Sequence, residues 1–522
     1  MKTLRRSDDL LFLILKGIAL TILFALGALI LFFVFREHDK QALTTVAQRW
    51  VYPLGMAALL SALGTLCLGL LMRSRDDMGK PHSVFFYPVV AGVLALAGMC
   101  MAYAYLGLWP VGTKTGMIVD MHHQYAPLLS ELRDMILHGG SPLYSFEVGL
   151  GASFLPLFGY YLASPFNILL VLFPERFLPE AIMLITLLKD ALAAALFAAC
   201  VQYVFRRRDF CVPIVAVMYA MMMYVLAYNW NIMWLDCVMF LPLVVLGFER
   251  MMRTGKYLTY VLSLAYTLYA NYYIGFMVCL FLVVYYIAYV LRSRRSAVRQ
   301  GRGLIRFVVG SLLGGGLSAF LLLPVFLALG QTSAAGGTLP ELSNNFNLFD
   351  LLGRHLYETT PTIRSGNLPN IYCGMLAVFL LPIFATLRSI SLRRRVVYMG
   401  MLALMGMSFV LNQFDLIWHG LHAPSDLPYR FSFLYCFVLL LIAYQALIHI
   451  QEITFKQIGL SFVGTLAYLM LEERFGDSEA YGFSAIYISL FLVLLYAVIT
   501  ALLARRHLGL RPGYAILLLL VV

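Results

Sequence analysis

The chain has 522 residues, 62% of them hydrophobic and only 12% charged, with a mean hydropathy of +0.85. An ordinary soluble domain is excluded, since its charged share is about twice as large. A net charge of +12 could attract nucleic acid, but the basic residues fall in connections that alternate along the chain, so no nucleic-acid partner is expected.

Apolar runs of roughly 18 to 25 residues recur along the whole length, each long enough to cross a membrane as a helix. The first, residues 10–35, is too long for a cleavable signal peptide and lacks a small-residue cleavage site, so it reads as a retained helix. A second run, 51–72, precedes the basic loop 73–83. A third, 84–109, leads into a long interval, 110–180. The next runs end at Arg206-Arg207-Arg208, turn at Tyr228-Asn229-Trp230-Asn231, and descend from Trp234-Leu235-Asp236 to Glu249-Arg250. The chain turns again at Asn271-Tyr272-Tyr273 and reaches the basic segment 292–306. A helix over 304–329 opens a second long loop, 330–370, rich in Gly, Ser, Asn and Thr. Beyond Arg388 to Arg395 the chain rises, exposes 415–430, descends through 431–450, rises over 457–471 and descends over 484–503. The stretch Ala515 to Val522 is too short to span, so the sequence is expected to stop inside a helix.

With the amino terminus cytoplasmic, every large basic cluster falls inside and both long loops fall outside. That is the positive-inside pattern, with anionic membrane lipid as the contact. The expected fold is an all-α polytopic membrane protein of about 14–15 transmembrane helices. Residues 1–83 supply two helices, 84–450 a core with outer loops 110–180 and 330–370, and 451–522 further helices. The cysteines are scattered with no metal-type spacing, and no chemistry is assigned to them.

The interval Asp120 to Asn167 concentrates ionisable groups: Asp120, His122, His123, Glu131, Arg133, Asp134, His138 and Glu147. Tyr125, Leu128, Leu129, Leu132, Met135 and Ile136 follow helical spacing, and Gly139-Gly140 supplies a stop. The spacing predicts an amphipathic helix on the membrane surface, with Asp120 placed to cap it or to meet a substrate. Asp120 with His122 is the set that could hold a divalent ion, a weak metal signature. Tyr160, Tyr161, Trp230 and Trp234 fit an interfacial aromatic belt. Lys189 and Asp190 lie inside an apolar run, where an ionised group costs about 2.5–3.5 kcal/mol and needs a cavity or a partner. Lys189 could meet a lipid phosphate or form a buried ion pair.

Several words recur in a known order: Asp120-xxx-Gln124-Tyr125 with Leu132-Arg133, then Phe158-Gly-Tyr-Tyr-Leu-Ala-Ser-Pro-Phe-Asn167. They continue as Ala227-Tyr-Asn-Trp-Asn-Ile-Met-Trp-Leu-Asp236, Asn271-Tyr-Tyr-Ile-Gly275, Leu368-Pro-Asn-Ile-Tyr-Cys-Gly374 and Leu427-Pro-Tyr-Arg-Phe-Ser432. Over roughly residues 84 to 450 the chain thereby resembles the YfhO family of bacterial multipass membrane proteins. That family is similar to the GT-C superfamily of glycosyltransferases. The resemblance implies a GT-C-like helical bundle in the bacterial cell membrane. It would transfer a sugar from a polyprenyl-phosphate donor to an extracytoplasmic cell-wall polymer such as lipoteichoic acid. The position matching the superfamily's acidic outer-loop residue is Asp120. The Asp-x-Asp or Asp-Glu metal cue is absent at 120–122, so no metal cofactor is assigned. Longer relatives carry further helices and an outer domain that this sequence lacks.

On this reading Asp120 is the base for the acceptor hydroxyl, or positions a metal. Arg430, with Lys189 and Arg364 as further candidates, holds the donor phosphate. Sugar or acceptor contacts are expected from His123, Gln124, Tyr125, Asn229, Asn231, Asp236, Asn271, Tyr272, Asn370 and Tyr372. The alternative is a transporter of lipid-linked sugar or polymer, suggested by intramembrane Lys189 and Asp190 and the glycine-rich stretch Gly310 to Gly316. Against it, neither paired broken helices nor inverted repeats are visible in the sequence.

Overall fold

The computed structural model describes residues 83–209, 211–293, 297–330, 341–364, 368–422, 426–476 and 481–504. The helices expected over 10–35 and 51–72 and the terminal run 515–522 lie outside the described residues. Within them, every expected apolar run is helical. The helices are α1 (Phe86–Tyr105), α2 (Ala126–His138), α3 (Leu178–Phe205), α4 (Cys211–Ala220), α5 (Met223–Tyr228), α6 (Ile232–Thr254), α7 (Leu258–Ala270) and α8 (Tyr272–Arg292). They continue as α9 (Ala297–Leu329), α10 (Leu348–Gly353), α11 (Met375–Thr386), α12 (Leu392–Val410), α13 (Asn412–Trp418), α14 (Ser432–Leu447), α15 (Phe455–Phe475) and α16 (Phe483–Ala504). A helix satisfies its own backbone groups, which hydrocarbon cannot do. Seven described stretches are long and apolar enough to cross a membrane, α4 and α5 counting together as Cys211–Tyr228, while α7, α11 and α14 are apolar but shorter. The chain is a multipass membrane protein.

Packing follows from side-chain size and burial. α3 lies against α1 and α6, and α6 lies against α7. Every residue of α14 is buried, so it forms a central post. In contrast, α9 turns Leu312, Phe320, Phe326 and Leu327 outward, the face that lipid would cover. One end of the bundle gathers the arginines. Arg253 at the end of α6 donates to the Tyr203 and Val204 carbonyls of α3, and Arg292 at the end of α8 pairs with Glu249 of α6. Arg394 of α12 sits over Phe205. The opposite end carries Asp120, the first long loop and the described part of the second.

In the first long loop, the expected amphipathic helix is α2. It buries Leu128, Leu129 and Leu132 and ends where Gly139 adopts φ +81°. Left-handed backbone of that kind suits a residue without Cβ. Beyond it, Tyr144 faces Ser153 and Ser145 faces Ala152 in a two-strand ladder.

Two features depart from the sequence reading. The run 211–228 is one continuous helix in that reading, but it breaks at Met222, whose φ/ψ of −64°/153° is extended. The Met223 amide there donates to the Tyr372 carbonyl at 2.8 Å. The second departure is larger. Residues read as loop form two helical limbs, Phe154–Leu162 and Pro165–Leu172, meeting at 93°. Pro165 disfavours helical backbone at the residue before it, and Ser164 is accordingly extended at φ −62°, ψ 123°. The Asn167 side-chain Nδ2 donates to the Leu162 carbonyl at 2.9 Å.

The corner is anchored deep in the bundle. Ser164 Oγ donates to Asp236 Oδ1 at 2.9 Å, and Tyr266 donates to the same oxygen at 2.7 Å. Lys189 Nζ takes Asp236 Oδ2 at 2.6 Å and the Ile232 carbonyl at 2.9 Å. Both members of the pair have side chains wholly shielded from solvent. This corrects two expectations. Lys189 is committed to a protein carboxylate rather than to a donor phosphate, and Asp236 is committed to three protein donors rather than to a sugar. The ion pair of α3 and α6 fixes the bent limbs.

Candidate active site

Asp120 enters from a strained approach. Val119 has φ +48°, an uncommon conformation for a β-branched residue. Asp120 then opens a single wide helical turn, Met121–Tyr125, that runs into α2. The carboxylate does not cap that turn, contrary to one sequence expectation, and it has no hydrogen-bond partner among the described residues. The turn buries Met121 and Tyr125 and leaves His122, His123 and Gln124 exposed. Asp120 and His122 thus share the rim. Among the described residues no three His, Cys, Asp or Glu side chains converge, and no step below is routed through a metal.

Beneath this turn lies a floor of aromatic rings. Tyr125 stacks at 6.0 Å on Trp230 and at 5.4 Å against Tyr161, and its hydroxyl donates to Asn231 Oδ1 at 2.9 Å. Gln124 Nε2 donates to the Tyr161 hydroxyl at 3.1 Å. Tyr160, from the first bent limb, meets Tyr161, Tyr272 and Tyr273 with centroids 4.6, 5.8 and 6.2 Å away. Asn271 holds that limb in place. Its Nδ2 donates to the Tyr160 carbonyl at 2.8 Å, while its Oδ1 accepts from the Ile274 amide and caps α8. Such a cap satisfies one orphan donor of the helix start.

Arg430 closes the floor from the turn before α14. Nε and one terminal nitrogen donate to the Leu427 and Asp426 carbonyls at 3.0 and 3.1 Å, and the other terminal nitrogen reaches the Tyr160 hydroxyl at 3.4 Å. The guanidinium lies 5.1 Å over Trp234 and 5.2 Å over Tyr273. Burial opposes its charge, the hydroxyls of Tyr160 and Tyr273 favour it, and the balance lies above the usual arginine value. Among the described residues no carboxylate stands within ion-pair distance of it. Asp120 and Arg430 share this end of the bundle. Burial pushes the Tyr125 phenol up, with Asp120 adding to the shift and Arg430 opposing it, so both charges bear on one ring.

The remaining expected residues divide by position. Asn231 and Asn271 are fully buried and act on protein partners, whereas Tyr272 is a half-buried neighbour of Tyr160. Asn229 is half-buried and reaches the Tyr103 hydroxyl at 3.4 Å. Asn370 lies beside Tyr228, whose ring meets Trp234 at 5.5 Å. Buried, it joins Arg354 at 3.2 Å to the Thr362 backbone at 2.7 and 3.0 Å, closing a loop hairpin. Tyr372 faces Tyr357 at 6.4 Å. Both are structural in these contacts rather than part of the floor. Arg364 is exposed and pairs with Asp426 at 3.2 Å. Its carbonyl accepts from the Leu427 amide at 2.8 Å, so it sits at the rim of the Arg430 turn.

The sequence reading puts Tyr160, Tyr161, Trp230 and Trp234 in an interfacial aromatic belt, whereas they build the floor. The signal was present in the Tyr160-Tyr161 pair set four residues before Ser164-Pro165. Residues 91–522 match the family described as bacterial membrane protein YfhO. No curated protein matches the chain.

Proposed function

This chain belongs to the YfhO family of bacterial membrane proteins, and on that premise we propose that it is a membrane glycosyltransferase. Its donor is a sugar carried on a polyprenyl phosphate, and its acceptor is a hydroxyl of an extracytoplasmic cell-wall polymer of the lipoteichoic-acid type. The observation that carries the reading is Arg430. A half-buried guanidinium held by carbonyls and aromatic faces, with no carboxylate paired to it among the described residues, keeps its charge for an anion that comes from outside the chain. A sugar phosphodiester at a membrane boundary is such an anion, and guanidinium matches phosphate oxygens in a two-point contact.

The chemistry then assigns itself by charge. The acceptor hydroxyl loses its proton to Asp120 as its oxygen attacks the anomeric carbon. The bond from that carbon to the phosphate oxygen breaks, and the departing electron pair is met by Arg430. Tyr160, Tyr161, Tyr272 and Trp230 offer faces on which a sugar ring can stack, while Gln124, His123 and Asn229 supply polar contacts at the rim. Arg364 is a second cation for the phosphate as it approaches. The buried commitment of Lys189 to Asp236 removes one of the features that favoured a transporter.

The test supplies purified full-length protein with labelled polyprenyl-phosphate sugar and a polymer acceptor. Covalent transfer is expected, and Asp120→Asn lowers its rate by about 10²- to 10⁴-fold, the value of a positioned base, while membrane insertion is unchanged. Leaflet exchange of the donor without product would replace the enzyme with a transporter. Near-wild-type turnover in the variant would remove Asp120 from the mechanism.

A further inference from the structure

We infer that His419 is the second anion-binding group beside Arg430 and gives its Nε2 proton to the departing phosphate. The inference rests on the transfer reaction proposed above for its chemistry, but its binding half stands alone. His419 ends α13 and is 1% exposed. Its Nδ1 lies 2.9 Å from the Asp415 backbone carbonyl, so Nδ1 carries hydrogen and donates. The Asp415 carboxylate stands 3.2 Å from the same nitrogen. On the other side of the ring, Nε2 is buried and has no partner among the described residues. In either protonation state that atom lacks the hydrogen bond a buried polar group normally makes.

Its surroundings point to the Arg430 site. The His419 ring is 6.2 Å from Tyr273, the same ring that lies 5.2 Å beneath the Arg430 guanidinium. It is 5.8 Å from Phe431, the residue following Arg430. Another buried donor of this neighbourhood is also without a partner among the described residues: Trp234 Nε1, whose ring Arg430 covers. Two unmatched buried groups beside one cation that has no counter-ion among the described residues describe a seat for an oxyanion. The titratable or charged groups nearest His419 are Asp415 on its own helix, Tyr273 from α8, and Tyr429 and Arg430 from the turn before α14. Asp415 bears on Tyr273 and Tyr429 alike.

The proton balance closes with this assignment. The acceptor proton goes to Asp120, and the new bond joins the acceptor oxygen to the anomeric carbon. The old carbon–oxygen bond breaks, its electron pair stays on the phosphate, and the imidazolium supplies one proton to give prenyl phosphate monoanion. Water later returns a proton to His419 and removes one from Asp120.

The probe is a farnesyl methyl phosphodiester, which carries a single negative charge across the working range, titrated against full-length protein in lipid nanodiscs. Wild type is expected to bind it about tenfold more tightly at pH 6 than at pH 8, since the charged ring adds a charge-assisted hydrogen bond. His419→Gln is expected to lose that pH dependence while retaining binding. Asp415→Asn, which keeps the imidazole but removes the carboxylate beside it, is expected to bind the diester less tightly than wild type at pH 6 and serves if the first variant does not fold. Equal pH dependence in wild type and in both variants would overturn the inference. In the labelled-sugar assay, His419→Gln also loses the fall in rate at alkaline pH. Absence of any product from wild type would sink the transferase reading, whereas pH-dependent binding of the diester would still establish the anion seat.

Discussion

Water is what an arginine gives up when it settles among rings, and Arg430 recovers only part of that loss. Two carbonyls from its own turn orient it, and two ring faces meet its charge, each worth about 0.5–2 kcal/mol. The orientation is therefore set before any ligand arrives, which limits the cost of binding. His355 shows the opposite use of burial. Its Nδ1 faces the Leu352 carbonyl at 3.3 Å, and its Nε2 stands 2.9 Å from the Tyr435 hydroxyl. Those partners suit a neutral ring that donates through Nδ1 and accepts at Nε2. Burial moves its pKa down from 6.5 to about 4. Between these values the unfolded chain binds the proton and the folded chain does not. Stability is therefore complete above about pH 6.5 and declines as pH falls toward 4, by up to about 3 kcal/mol. Thermal melting of wild type should drop across that window more than melting of His355→Gln, and parallel curves would show that another group sets the acid sensitivity.

Elements carry the next level of control, and the clearest case is the pair of bent limbs. Their corner is tied to α3, α6 and α7 through one carboxylate, Asp236, that collects Lys189, Ser164 and Tyr266. Lys189→Met leaves Asp236 buried and uncompensated, at a cost of about 3–5 kcal/mol. Replacing both members, Lys189→Met with Asp236→Leu, removes the charges together and should recover most of that stability. Activity should not recover, because Ser164 and Tyr266 lose their acceptor and Tyr160 and Tyr161 lose their platform. A melting cycle measured beside turnover separates the two outcomes, and full activity in the double variant would detach the corner from the site. This arrangement was partly legible in the sequence. Helix runs declare themselves by length, because lipid demands about 20 apolar residues without interruption. The α2 face was legible from Leu128, Leu129 and Leu132 at helical spacing. A partner for Lys189 that lies in another helix leaves no periodic trace. Nor does the fold of Ser164-Pro165 back into the bundle, since proline marks a break without giving its direction. His419 with Asp415 was visible as a spacing of four, yet only tertiary packing sets its ring beside Tyr273.

At the scale of the whole molecule the alternation of helices sorts the charges. Arg253, Arg292 and Arg394 meet at one end, where carbonyls and Glu249 receive them, and Asp120 with Arg430 occupies the other. That separation was readable from the sequence, since basic connections recur at every second helix end. The two ends are unequal in a way that matters for the proposed chemistry. In the proposed reaction, a donor lipid with its phosphate at the membrane boundary would reach Arg430 from the Asp120 side. The positive-inside tendency predicts that side to be outside the cell, because Arg206 to Arg208 and Arg388 to Arg395 belong to connections at the far end. Single cysteines introduced at His138, in the last turn of α2, and at Arg207, beyond the end of α3, provide the check. In intact cells a membrane-impermeant maleimide should label His138→Cys at once, and should label Arg207→Cys only after the membrane is opened. The native cysteines among the described residues are buried or half-buried, so a variant without them gives the background. Reversed labelling would place Asp120 and Arg430 on the cytoplasmic side. The acceptor would then have to be an intracellular hydroxyl, and the extracytoplasmic assignment would fall while the geometry of the floor remained.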